Sequence, residues 1–92
     1  MKRLDWGPNK DAELRRRHGF GFERIVAALS MGLLLDDREH PNSERYGHQR
    51  QFVVQLDDYV WVVPYVEDDS TIFLKTMFPS RRATKEYLGS RP

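Results

Sequence analysis

At 92 residues the chain has the size of one domain, residues 1–92, and a domain this small buries only about 60–65% of the surface its unfolded chain exposes, so its core must be compact. It contains no cysteine, which excludes disulfides, thiolate zinc sites and cysteine nucleophiles together. No secretory leader and no apolar run of membrane-spanning length is present, so the expected location is cytoplasmic, with no membrane partner. The net charge of +1 hides a division, because residues 1–18 carry +3 and 71–92 carry +4, whereas 19–49 carry −2 and 50–70 carry −4. Eleven of the fifteen cations are arginine, the better bidentate partner for phosphate. If the two basic ends meet in the fold, they present a surface for a polyanion.

Residues 2–6 predict a short strand, and Gly7-Pro8 then places a proline where the first turn of a helix tolerates it best. A helix follows from about Pro8 to His18, weakly apolar, with the run Arg15-Arg16-Arg17 near its end and Gly19 as its stop. Phe22, Ile25, Val26 and Leu29 recur at helical spacing and predict a core-packed helix over about 21–31. Leu33-Leu34-Leu35 reads as a brief extended segment, and the polar stretch 36–50 reads as a long loop. From Gln51 the period becomes two, Asp57-Asp58 makes a turn into Tyr59–Glu67, and Asp68-Asp69-Ser70 turns the chain into Thr71–Phe78. A final helix spans about 80–88. The expected fold is therefore α+β: two N-terminal helices, an antiparallel β-meander with the short first strand as an optional member, and a C-terminal helix, with the helices on one face of the sheet.

The residues most suggestive of chemistry lie near the C-terminus. Lys75 alternates with Phe73 and Met77, and Arg81 and Arg82 follow Pro79 at the start of a helix, whose first N–H groups are themselves suited to anions. Arg81 and Arg82 point about 100° apart on a helix, so they cannot both face the sheet, and a surface ion pair with Glu86 is the plain alternative. Tyr59, Trp61 and Tyr65 share one strand face, where exposed rings could stack on bases, although core packing is the commoner use of such residues. His18, His40 and His48 are the candidate proton carriers near neutral pH, and His18 also suits the C-terminal end of its helix electrostatically. Asp36, Asp37, Glu39 and His40 lack a recognised metal-ligand spacing, so no metal and no cofactor is expected. Phosphate loops, dinucleotide fingerprints, serine elbows and zinc-protease helices are all absent from the sequence.

Two separated blocks carry a family resemblance. Asp5-Trp6-Gly7-Pro8-Asn9-Lys10, followed by Arg17-His18-Gly19-Phe20-Gly21-Phe22-Glu23, resembles the opening of the BrnT-type toxins, whose usual pattern is Trp-Asp-Pro-x-Lys and then Lys-His-Gly-x-x-Phe-Glu. The strand closing on Lys75, followed by Ser80-Arg81-Arg82-Ala83-Thr84, is similar to that family's strand and Ser-x-Arg-x-Ala segment. Gly7 replaces the family's aspartate, and the stretch from His40 to Gln49 makes a longer connection than in most members.

The resemblance implies a RelE-like fold and the toxin role in a bacterial type II toxin–antitoxin module. It implies metal-independent ribonuclease activity that stops translation, on RNA free or ribosome-associated. It also implies neutralisation by a small antitoxin of ribbon-helix-helix type, through which operator DNA is bound. On this expectation Lys75, Arg81 and Arg82 hold the scissile phosphate, His18 transfers a proton, and Lys10, Arg15, Arg16, Lys85, Trp61 and Tyr65 grip the RNA. The competing expectation is a catalytically inactive protein that binds RNA or the antitoxin and serves transcriptional autoregulation.

Overall fold

A computed structural model of the protein describes residues 2–42, 44–45 and 47–89. Arg91, part of the C-terminal positive charge, and Tyr46 of the expected loop lie outside them. The elements run β1 (Arg3–Trp6), α1 (Pro8–His18), α2 (Phe22–Ser30), β2 (Leu34–Glu39), β3 (Arg50–Leu56), β4 (Tyr59–Glu67), β5 (Thr71–Leu74), β6 (Phe78–Pro79) and α3 (Arg81–Leu88). The strands form one mixed sheet in the order β1-β5-β4-β3-β2, with β6 also paired to β4. Every contact between paired strands is antiparallel except β1 with β5, which run parallel.

Local chemistry sets the helix boundaries. Gly7 caps α1 in an extended conformation with Pro8 at its first position, and Gly19 ends it in the left-handed region at φ 85, where a side chain would be strained. The cap of α2 comes from another element: the Phe22 N–H donates to Asp11 Oδ1 at 2.8 Å, while Arg15 Nε donates to Asp11 Oδ2 at 2.9 Å. Arg15 also reaches Glu23 at 2.8 Å, so one carboxylate and one arginine bind α1 to the start of α2. Gly21 suits this junction, because a Cβ there would run into the Asp11 carboxylate that makes the cap.

The core is double. On one face of the sheet Leu14, Phe22, Ile25 and Ala28 of α1 and α2 pack against Phe52, Val54, Leu56, Trp61, Val63, Tyr65, Leu74 and Met77. On the other face Ala83 of α3 packs against Val53, Val60 and Val62, with Leu35, Tyr87 and Leu88 at the margin. The helices therefore cover both faces, contrary to the one-sided layout expected from the sequence. The physical reason is visible in Phe52-Val53-Val54 and Val60-Trp61-Val62-Val63, which are apolar on successive residues and so must be buried on both sides.

Two further differences concern strands. The first four residues of the expected loop, 36–39, belong to β2, an edge strand paired to β3 in spite of its sequence Leu-Leu-Asp-Asp-Arg-Glu; charged side chains are common on edges, where they discourage pairing with other chains. The expected strand Thr71–Phe78 is interrupted. Tyr65 pairs with Leu74, but Trp61 pairs with Pro79, so the segment between them holds one residue more than the facing stretch of β4. Met77 consequently turns into the core beside Val63, whereas Lys75 stays exposed with its ammonium 5.7 Å from the Phe73 ring. The Lys75 N–H donates to the Pro64 carbonyl at 2.8 Å, so Pro64 lies opposite the irregular segment, where a strand residue without an N–H is tolerated.

Candidate functional site

The side chains that converge are those between β2 and the first turns of α3. A cleft of about 400 Å³ is lined by Arg38, Glu39, Pro41, Ser80, Arg82, Ala83 and Glu86. Ser80 starts α3, with its hydroxyl accepting from the Ala83 N–H at 3.0 Å. This cap sends the first turn of α3 along the cleft with Arg82 on its wall. Arg82 is exposed and forms no ion pair among the described residues.

Arg38 is held from several directions. Its Nε donates to Gln51 Oε1 at 3.1 Å and its Nη1 donates to the Tyr87 hydroxyl at 3.3 Å. Its guanidinium lies 5.8 Å from the centre of the Tyr87 ring and 3.7 Å from Glu86 Oε1. Tyr87 in turn donates to Asp36 Oδ2 at 2.5 Å. That bond, followed by the Asp37 N–H, holds the Asp36 carboxyl below its ordinary range, and it raises the Tyr87 hydroxyl. Asp36, Arg38, Gln51 and Tyr87 thus form a connected polar group across β2, β3 and α3.

Asp37, the next residue of β2, faces the opposite side. The Tyr65 hydroxyl donates to Asp37 Oδ1 at 2.6 Å, and Arg50 reaches the same oxygen at 3.2 Å and the Asp37 carbonyl at 2.9 Å. Burial, reinforced by the Asp37 hydrogen bond, pushes the Tyr65 phenol up to about 12.

The sequence-derived candidates are not brought into one place. Arg82 reaches the cleft, whereas Arg81 is exposed at the helix start without lining it, and Lys75 lies beside Phe73. The expected Glu86 pairing with Arg81 or Arg82 is replaced by the contact with Arg38. His18 lies on the other side of the sheet, edge-on to Trp61 at 4.9 Å and near Phe20 at 6.3 Å, and its Nε2 is buried without a hydrogen-bond partner among the described residues. The expected reaction needed His18 beside the arginines, but the two-sided packing of the helices separates them.

The expected RNA-gripping set divides as well. Lys10 pairs with Glu13 at 2.9 Å and Arg15 is taken up by Asp11 and Glu23, so much of the charge on α1 is already matched. Arg16 and Lys85 are exposed, on helices that cover opposite faces. Trp61 is 8% and Tyr65 2% exposed, and Tyr65 stacks on Phe52 at 4.1 Å, so neither ring is available to a base. This corrects the stacking role considered for them, for the ordinary reason that large rings on a covered strand face enter the core. Arg38, Gln51 and Tyr87 were missed. The available signal was Gln51, a polar residue bordering an apolar strand.

Among the described residues no group of three or more histidine or acidic side chains is arranged to hold a metal ion, and no helix is long and apolar enough to cross a membrane. No family model matches the chain, and no curated protein matches it significantly. Its fold does resemble solved structures. YafQ from Escherichia coli strain BL21(DE3) aligns with a TM-score of 0.51 and 13% identity over 90% of this chain and 97% of that one. The YafQ chain of the E. coli DinJ-YafQ toxin-antitoxin complex aligns with a TM-score of 0.51 and 13% identity over 89% and 94%. The likeness is one of fold: a compact α+β arrangement of three helices and a mixed six-stranded sheet.

Proposed function

We propose that this chain is the RelE-like toxin of a bacterial type II toxin–antitoxin module and that it cleaves RNA in the cleft between β2 and α3. The observation that carries the reading is the placement of Arg82, unpaired, and Arg38, clamped, on the walls of one cleft. Support for the module comes from the fold likeness to YafQ, one of whose structures is a complex with the antitoxin DinJ. In the proposed reaction the 2′-hydroxyl of the RNA attacks the adjacent phosphorus and the bond to the 5′-oxygen breaks. The products are a 2′,3′-cyclic phosphate and a 5′-hydroxyl. Negative charge grows on the phosphoryl oxygens during attack, and fixed guanidinium groups aimed at that charge contribute up to several kcal/mol. Lys75 and Arg81, which do not line the cleft, are left as outlying contacts for the RNA backbone, and His18 packs against Trp61 on the other side of the sheet. A small DNA-binding antitoxin would neutralise the protein.

A binding-only reading also has support, since Glu39 and Glu86 line the same cleft and offset its positive charge. The test is controlled expression of the chain without an antitoxin, with growth followed and total RNA probed for new 2′,3′-cyclic phosphate ends. Arrest with such ends, lost in Arg82→Ala and Arg38→Ala, is the expected result. Full toxicity from both variants would remove the cleft from the mechanism, and normal growth with intact RNA would favour binding alone.

A further inference from the structure

Gln51 is 5% exposed and lies on the same strand face as Val53, among the valines that α3 covers. Burying an amide in such surroundings is unfavourable unless it is hydrogen-bonded. Its side-chain oxygen accepts from Arg38 Nε at 3.1 Å, and Arg38 is its direct cross-strand partner in the pairing of β2 with β3. The geometry points to Gln51 as a positioning residue: resting on the cleft reading above, we infer that this buried amide fixes the Arg38 fork so that Nη2, the terminal nitrogen that Tyr87 and Glu86 do not engage, faces a phosphate of bound RNA. An arginine on an edge strand otherwise has many rotamers to lose when it binds, and a bond at Nε removes much of that freedom in advance. Gln51 touches no substrate in this arrangement and acts through Arg38 alone.

The coupling can be measured with a single-stranded RNA oligonucleotide as the probe, by titration at fixed salt, with the wild-type protein, Gln51→Met, Arg38→Ala and the double variant. Methionine keeps the length of the side chain and removes the acceptor. Gln51→Met is expected to weaken RNA binding about tenfold in the wild-type background, the size of one hydrogen bond to a charged group, and to have no effect when Arg38 is already alanine. A merely structural role for Gln51 would give the same loss in both backgrounds, and that outcome overturns the inference. Arg38→Lys provides a check that does not depend on a core substitution: it keeps a cation but lacks the Nε–H, and its affinity should fall to the level of Gln51→Met. Wild-type affinity in Arg38→Lys also overturns the inference. Unchanged binding in Arg38→Ala would instead reject the cleft itself, and with it the positioning role, as would absence of RNA binding by the wild-type protein.

Discussion

Gly21 and Asp11 show how one contact can fix the geometry between two helices. A Cβ at position 21 would meet the carboxylate that caps α2, so Gly21→Ala should destabilise the fold by about 1–3 kcal/mol, the usual cost of forcing atoms into a packed site. Urea unfolding would measure it, and a loss below a few tenths of a kcal/mol would mean that the carboxylate moves aside freely. Tyr65 offers a test at high pH. Its hydroxyl is buried on Asp37 and its pKa is raised from 10.0 to about 12. Folding therefore favours the protonated phenol, and the associated stability is complete below pH 10 and is lost as pH rises toward about 12. Tyr65→Phe should lack this component of the alkaline loss, as seen by thermal melts across that range.

At the scale of elements, α2 depends on α1 for its cap, since Gly21 supplies no side chain for the purpose. Burial pushes the Asp11 carboxyl up, but the Arg15 hydrogen bond and the Phe22 N–H outweigh it and hold the group below 3.8. A carboxyl depressed by folding stabilises above its unfolded value and loses that contribution as pH falls through the folded one. Asp11→Asn should accordingly flatten the acid limb of stability below about pH 4, and an unchanged limb would show that other carboxyls set it. The sequence displayed α1, α2, β3, β4 and α3 through periodicity, proline and glycine, with ends within a residue or two of those observed. Of β2 it displayed only the start, Leu34-Leu35, because Asp36 and Asp37 are poor strand formers whose partners, Tyr87 and Tyr65, lie 51 and 28 residues away. Arg38 was hidden for the same reason. Its role comes from a strand in a segment that reads as a loop and from a helix near the other end of the chain. Arg82 was legible because the Pro79 break and the Ser80 cap are local.

Across the whole molecule, the two sides of the sheet are unequally held. The α1 and α2 side buries Leu14, Phe22, Ile25 and Ala28 from its helices, whereas α3 contributes only Ala83 as a fully covered residue. Hydrogen exchange should therefore show α3 opening at a lower free energy than β3 and β4, by a local route that leaves the sheet paired. Equal protection in α3 and β4 would contradict this. A cleft half built on such a helix would gain order when a ligand spans both walls. The extra residue between Leu74 and Phe78 carries a different lesson, about how this chain can change. Because the surplus residue lets Lys75 and Met77 face opposite sides, the display of the lysine is independent of the side chain that fills the core two positions on. Substitutions at Lys75 can then accumulate without penalty to the interior. Loss of a single residue from this short span would instead force a regular ladder opposite Pro64, which has no N–H to give to it, so the segment should tolerate changes of residue far better than changes of length.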